Sequence, residues 1–197
     1  MARAAASNTL QVNPMKFDAS IVQTSFESPL GTIRLAATRR GLAGLWFEGQ
    51  RHWPAELDRA SALSTPSLRP AVWPTDSGHP VLQETSRQLA DYFAGRRLDF
   101  ELPLDLDGGT AFQQLVWRAL RAIPTGGTAS YSEISARIGQ PTAVRAVGAA
   151  VGRNPVSIVV PCHRVLGADG SLTGYAGGLH RKTALLELEG VLQKAML

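Results

Sequence analysis

The apolar pattern of this 197-residue chain changes period near Asp107-Gly108-Gly109, and that change constrains the fold more than any other feature. Before it, three short runs rich in apolar and β-branched residues (21–26, 32–37 and 42–47) are separated by Pro29-Leu30-Gly31 and Arg39-Arg40-Gly41. Glycine admits the positive φ that tight turns often need, so the pattern is that of an antiparallel meander. Residues 49–78 carry Pro54, Pro66, Pro70 and Pro74 and read as a loop. Residues 80–93 bring Leu82, Leu89 and Phe93 near one helical face, and 98–106 alternates as a further strand would. Beyond the break the period is helical. Phe112, Leu115, Val116, Ala119, Leu120 and Ile123 form one amphipathic stripe, stopped by Pro124 and Gly126-Gly127.

Two shorter helices follow. Ser130 and Glu133 have the spacing of a capping box, opening a helix over 131–138 that turns Ile134 and Ile138 inward and ends at Gly139. Thr142 stands where it could cap the next helix, 143–151, with Val144, Val147 and Val151 on one face. Two helices joined by a tight turn resemble a helix-turn-helix. The second helix is small on most faces (Ala143, Ala146, Gly148, Ala149, Ala150, Gly152), which permits close approach either to DNA or to a neighbouring helix. Arg145 sits early in it, where recognition residues belong. The expected architecture is therefore α/β (α+β): an antiparallel N-terminal sheet with a helix over 19–108, and a mostly helical part over 109–197.

Composition narrows the class. Apolar residues make up 44% of the chain, enough for a sizeable core. No apolar run reaches the roughly 20 residues a membrane helix needs. The N-terminus lacks the apolar stretch of a secretory signal, and 1–18 reads as a disordered tail. The single cysteine rules out an internal disulfide and a cysteine-rich zinc site, and fits a reducing, cytoplasmic setting. The net charge of +4 is uneven: residues 109–197 hold nine Lys and Arg against four Asp and Glu. Such asymmetry fits a polyanionic partner, although a solvated surface carries the same charge.

Cys162 follows a buried-looking run, 158–161, and precedes His163 and Arg164. An imidazole and a guanidinium beside a thiol favour the thiolate, the nucleophilic form. A lone cysteine is more often a buried structural residue, His163 a satisfied core histidine, Glu189 a solvated helix-end charge and Tyr131 a packing residue. Two other functions compete. A DNA-binding regulator with an inert cysteine would explain the helix pair and the charge. A cysteine hydrolase would pair Cys162 with His163, but adjacent strand residues face opposite ways, leaving only a water-bridged arrangement at a bend.

The wider pattern decides between them. Arg145-Ala146-Val147-Gly148, Asn154-Pro155, Pro161-Cys162-His163-Arg164-Val165, Gly174-Tyr175-Ala176-Gly177-Gly178-Leu179 and Glu189-Gly190 occur in the order and spacing of the O6-alkylguanine-DNA alkyltransferases, also called methylated-DNA–protein-cysteine methyltransferases. The chain resembles that family closely from 109 to 190. Upstream it matches in style only, with Ser28-Pro29-Leu30-Gly31 a familiar early element. The resemblance implies a ribonuclease-H-like N-terminal domain with a supporting task and a winged-helix C-terminal domain.

It implies direct repair of DNA by one irreversible transfer of an alkyl group from O6-alkylguanine to Cys162, with O4-alkylthymine a second candidate substrate. His163 would take the thiol proton through a water, and Glu189 would orient His163. Tyr131 would donate to the departing base, and Asn154 would brace the turn before the active-site strand. Arg145 would fill the gap left by a flipped nucleotide. Thr142, Ala143, Ala146, Gly148, Arg153 and Tyr131 would meet the minor groove of double-stranded DNA with little sequence preference. Pro161, Val165, Tyr175 and Ala176 would line the base pocket, with backbone groups at Val165 and at the Tyr175–Ala176 turn. No metal or cofactor is implied, since the substrate carries the alkyl donor, and the protein would act as a monomer. Ala176 departs from relatives with serine there, so no hydroxyl serves the base at that point.

Overall fold

A computed structural model describes residues 15–57 and 72–193. Three antiparallel strands, β1 (Val22–Ser28), β2 (Gly31–Thr38) and β3 (Gly41–Phe47), form the meander in the order β1-β2-β3. Each runs one or two residues past its expected bounds. A register shift between Ala36 and Ala37 absorbs Ala43 as an extra residue. That shift lets Leu42, Leu45 and Phe47 all face the main core although they are not evenly spaced. The other face carries a second cluster in which Trp46 meets Phe17 and Trp73. Phe17 therefore belongs to the folded body, which shortens the expected tail; 1–14 lie outside the described residues.

The loop 49–78 contains a single-turn helix, Ala55–Leu57, and returns to β1 through one bridge between Gln23 and Thr75. Its middle, 58–71, also lies outside the described residues. Helix α1 (Pro80–Phe93) covers the sheet as expected, burying Leu82, Leu89 and Tyr92.

The strand expected at 98–106 does not form. Only Leu104 bridges, to Leu42: the Leu42 N–H donates to Pro103 O at 2.8 Å and the Asp105 N–H to Leu42 O at 2.9 Å. Pro103 has no N–H to offer a ladder. It also passes so close to Gly41 (φ 151°) that a Cβ there would lie 2.4 Å from the Pro103 oxygen, a contact only glycine permits.

Helix α2 (Ala111–Arg121) starts from a Thr110–Gln113 capping box, and α3 (Tyr131–Arg137) from the expected Ser130–Glu133 box. Thr142 does not cap α4 (Val144–Gly152); Ala143 occupies the N-cap without a side-chain bond. Nor is Val144 on the buried face. It is 36% exposed, while Val147, Ala150 and Val151 turn inward. The open face of α4 is thus Val144, Arg145, Ala146 and Ala149. Two-residue strands β4 (Ala129–Ser130) and β5 (Val165–Leu166) pair in parallel, and α5 (Leu179–Leu188) closes the described chain.

One apolar cluster runs through both halves, from Ile33, Leu35, Leu45 and Phe47 to Val116, Leu120, Val147 and Cys162. The edge of β3 adds a backbone tie: the Leu45 N–H donates to Pro155 O at 2.8 Å, and the Ser157 N–H to Leu45 O at 3.0 Å. Among the described residues no helix is long and apolar enough to cross a membrane. Trp117, fully buried, donates Nε1–H to Ala150 O at 2.9 Å and so pins α2 to the end of α4. Trp117→Phe removes that bond, leaving the Ala150 carbonyl to the Arg153 N–H alone, and trims the buried ring system. It is expected to lower unfolding free energy by about 1–3 kcal/mol in denaturant melts.

Candidate functional site

The segment before Cys162 is held by one side chain. Asn154 is buried; its Oδ1 accepts from the Val156 N–H at 3.1 Å, and its Nδ2 donates to Val160 O at 2.7 Å and to Cys162 Sγ at 3.1 Å. Inside that brace Ile158 has φ 69°, and the Val159 N–H donates to Ser157 O at 2.8 Å. This is a γ-turn of the strained hand, costly for a β-branched residue and tolerated where the surroundings over-determine it. The run 158–161 is mostly buried, as expected, but it is not a strand. Cys162 begins a single-turn 3-10 helix, Cys162–Arg164. The turn leaves Cys162 against Asn154 while His163 and Arg164 both meet Glu189, so strand alternation does not govern them.

The thiol is 4% exposed. Burial pushes its pKa up; the Asn154 amide and the charge of Lys182 only partly oppose this. The expected thiolate in the field of His163 and Arg164 is therefore corrected. Arg164 turns away, donating from Nε to Glu189 Oε2 at 2.8 Å, from Nη2 to Glu189 Oε1 at 2.9 Å and from Nη1 to Ile123 O at 2.7 Å. Burial likewise pushes the His163 pKa down, against the pull of Glu189, leaving a neutral imidazole.

Glu189 caps the C-terminal end of α5 and is buried. Burial alone would raise its pKa, but His163 and Arg164 hold it at about 2. Tyr92 of α1 adds a hydroxyl donor to Oε1 at 2.9 Å, and His163 Nε2 lies 2.9 Å from the same oxygen. A carboxylate only accepts, so Nε2 carries the proton and Nδ1 presents its lone pair. Nδ1 is buried and has no partner among the described residues. It is thus poised to accept a proton.

Cys162 lies on a cavity of about 210 Å³, walled by Tyr131, Gly148, Gly174, Tyr175 and Ala176. Gly148 of α4 faces the Tyr131 ring, which a Cβ there would meet in ordinary van der Waals contact at 3.8 Å. The Tyr131 hydroxyl, its pKa raised by burial, lies 3.4 Å from Gly174 O. Arg153, at the end of α4, also lines the cavity, whereas Arg145, Ala146 and Thr142 stand on the exposed surface and Ala143 is half-buried.

Val165 and Pro161 are not on the cavity wall. Both are buried, the Val165 N–H donates to Cys162 O, and its carbonyl accepts from Lys182 Nζ at 2.5 Å. Backbone groups bound in this way leave the wall to the 174–176 turn. Sequence reasoning also missed five residues. Tyr92 and Trp117 act across long separations that no local pattern marks. Lys182 is wholly buried, bonded to the Val165 and Thr173 carbonyls, with its pKa lowered by burial to about 8. Arg51 and His52 reach the cavity from the turn after β3.

The carboxyl of Glu189 titrates at about 2 in the folded protein and at its ordinary 4.5 once unfolded. The unfolded chain takes the proton first on acidification, so this stabilisation is complete above about 4.5 and drains away as pH falls toward about 2. The stability gap between the unaltered protein and Glu189→Gln, followed by denaturant melts, is expected to shrink through that window. A gap independent of pH would refute the linkage.

Comparison with known proteins agrees with this geometry. Residues 21–106 match the family model of the 6-O-methylguanine DNA methyltransferase ribonuclease-like domain, and 111–191 that of its DNA binding domain. The methylated-DNA–protein-cysteine methyltransferase of Mycolicibacterium paratuberculosis is 61% identical over 163 residues, 83% of this chain and 88% of the relative. Its Mycobacterium tuberculosis counterpart is 46% identical over 165 residues, 84% and 90% of the two chains. The crystal structure of the M. tuberculosis O6-methylguanine methyltransferase superposes with a TM-score of 0.72 at 43% identity, covering 89% of this chain and 96% of that one. M. tuberculosis OGT in complex with DNA gives 0.69 at 45%, covering 84% and 90%. The matched models span most of the chain and the relatives are matched over nearly their whole length: the chain belongs to the 6-O-methylguanine DNA methyltransferase family.

Proposed function

We propose that the protein repairs DNA by transferring the alkyl group of an O6-alkylguanine to Cys162 once and irreversibly. The observation that carries the reading is the pairing of a buried, protonated thiol with a neutral histidine. That histidine has one nitrogen held by an ionised carboxylate and the other unpartnered. A thiol kept protonated at rest needs a base at the moment of reaction, and His163 Nδ1, acting through a water, is placed in sequence and charge state to serve. Glu189 then stabilises the imidazolium it orients. Cys162 Sγ bonds to the alkyl carbon as the C–O6 bond breaks, and Tyr131 donates to the leaving base.

Asn154 orients the thiol. Tyr175 and Ala176 wall the base, with Pro161 and Val165 behind the acceptor. Arg145 occupies the gap left when the nucleotide swings out of the duplex. Thr142, Ala143, Ala146, Gly148 and Arg153 meet the minor groove of double-stranded DNA with little regard to sequence. The protein works as a monomer in the cytoplasm, with 19–108 supporting the DNA-binding and acceptor half, 109–197. A thioether is a poor leaving group, so one molecule repairs one lesion.

Intact-protein mass spectrometry with excess O6-methylguanine duplex is expected to show the gain of one methyl group, located at Cys162, and then no further reaction. Cys162→Ala should gain none. An unchanged mass in the unaltered protein while DNA still binds would leave a lesion-binding protein instead. Tyr131→Phe, which retains the ring, is expected to slow transfer about 10²-fold in single-turnover assays if the hydroxyl supplies the proton. The methyl group adds volume on a sulfur packed against Asn154 and costs the Asn154 contact to it, so the alkylated protein is expected to be about 1–3 kcal/mol less stable. Equal melting curves before and after reaction would dismiss that cost.

A further inference from the structure

Three side chains at the rim of the acceptor cavity lie outside the proton relay. Arg51 and His52 belong to the turn after β3, and Arg153 to the C-terminal end of α4, so they reach one opening from the two halves of the chain. The turn is fastened. Buried Gln50 accepts from the Phe47 N–H through Oε1 at 2.9 Å and donates its own N–H to Phe47 O at 3.1 Å. The Arg51 N–H donates to Ala176 O at 2.9 Å, which ties the turn to the cavity wall. His52 follows at φ 61°, a left-handed conformation uncommon outside glycine and held here by those bonds.

Arg51 and Arg153 are both cations, His52 stands neutral between them, and none of the three has a carboxylate partner among the described residues. The His52 imidazole is held below its ordinary pKa first by the protein packed around it, then by Arg153 and Arg51, with no carboxylate in opposition. Neither Arg51 nor Arg153 joins an ion pair among the described residues. Arg164, by contrast, is fully spent on Glu189 and the Ile123 carbonyl. Guanidinium groups gathered at an opening without a carboxylate attract an anion from outside, and their forked donors suit a phosphate. The cavity interior offers that anion nothing comparable, since Cys162 and Tyr131 are both neutral at rest. The anion therefore belongs at the rim, where the sugar and phosphate of a nucleotide stay when its base goes in.

We propose that Arg51, His52 and Arg153 form a clamp for the phosphodiester flanking the nucleotide whose base occupies the cavity, so that the N-terminal half contributes directly to substrate binding. The inference rests on the alkylguanine reading of the cavity. Phosphate contacts of this kind fix register without reading sequence.

The test compares two substrates in single-turnover assays: a duplex carrying O6-methylguanine, and free O6-benzylguanine, which has the reactive group and no phosphate. Arg51→Ala removes an exposed side chain and leaves the backbone bonds of the turn intact. It is expected to slow transfer from the duplex about tenfold near physiological salt and to flatten the salt dependence by about one phosphate contact, while transfer from the free base changes less than twofold. Replacing the flanking phosphate with a neutral methylphosphonate should bring the unaltered protein down to the level of Arg51→Ala and slow the variant no further. Equal losses on duplex and free base would make the turn a cavity wall only and overturn the clamp, as would equal responses of both proteins to the methylphosphonate. No transfer from either substrate by the unaltered protein would overturn the alkyltransferase reading, and the clamp with it.

Discussion

The molecule is organised around a buried carboxylate. Glu189 gathers Tyr92 from α1, His163 and Arg164 from the turn that bears the acceptor, and sits itself at the end of α5. Its two oxygens offer about four acceptor sites, and four donors meet them. Removing any one partner would leave a desolvated charge or donor, which costs far more than an exposed pair contributes. Arg164 extends the network to Ile123 O and Thr125, and Thr125 to Leu98 and Asp99. One ionised group thereby sets the relative placement of segments that share no local sequence.

The thiol is governed by the opposite device, exclusion of charge. Cys162 shares a core with Val147, Val160 and Tyr175, and the nearest polar help is a neutral amide. A resting thiolate in such a place would be exposed to oxidants and adventitious electrophiles. A protonated thiol beside a neutral imidazole carries no resting charge to draw them. The strained turn at Ile158 lies in the same segment, braced by the Asn154 amide that also meets the sulfur.

Much of this was legible in the chain. The strands, α1, α2 and the α3 cap followed from periodicity, glycine position and capping chemistry, all local. The Pro-Cys-His-Arg element, Asn154 and Glu189 were legible as a motif, and they converge in space. Charge near the cysteine in sequence misled, because Arg164 is claimed by a carboxylate 25 residues away. The alternation at 98–106 misled because Pro103 allows a bridge and no ladder. Thr142 misled because a capping residue type does not create a cap when the backbone places Ala143 there. Tyr92, Lys182, Arg51 and Trp117 had no local signal at all; their roles depend on tertiary approach.

The tie between β3 and the acceptor segment bears on how the chain is made. Strand β3 is buried at every position, and its outer edge is completed by Pro155 and Ser157, more than a hundred residues downstream of Leu45. A ribosome adding about 5–20 residues per second takes several seconds to supply that cover. During this interval the nascent polypeptide displays an apolar ribbon with unpaired amides, the kind of template on which neighbouring chains stick together. The closure that seats the cysteine is also the one that ends this vulnerable period, so yield during synthesis and competence for repair depend on the same late event.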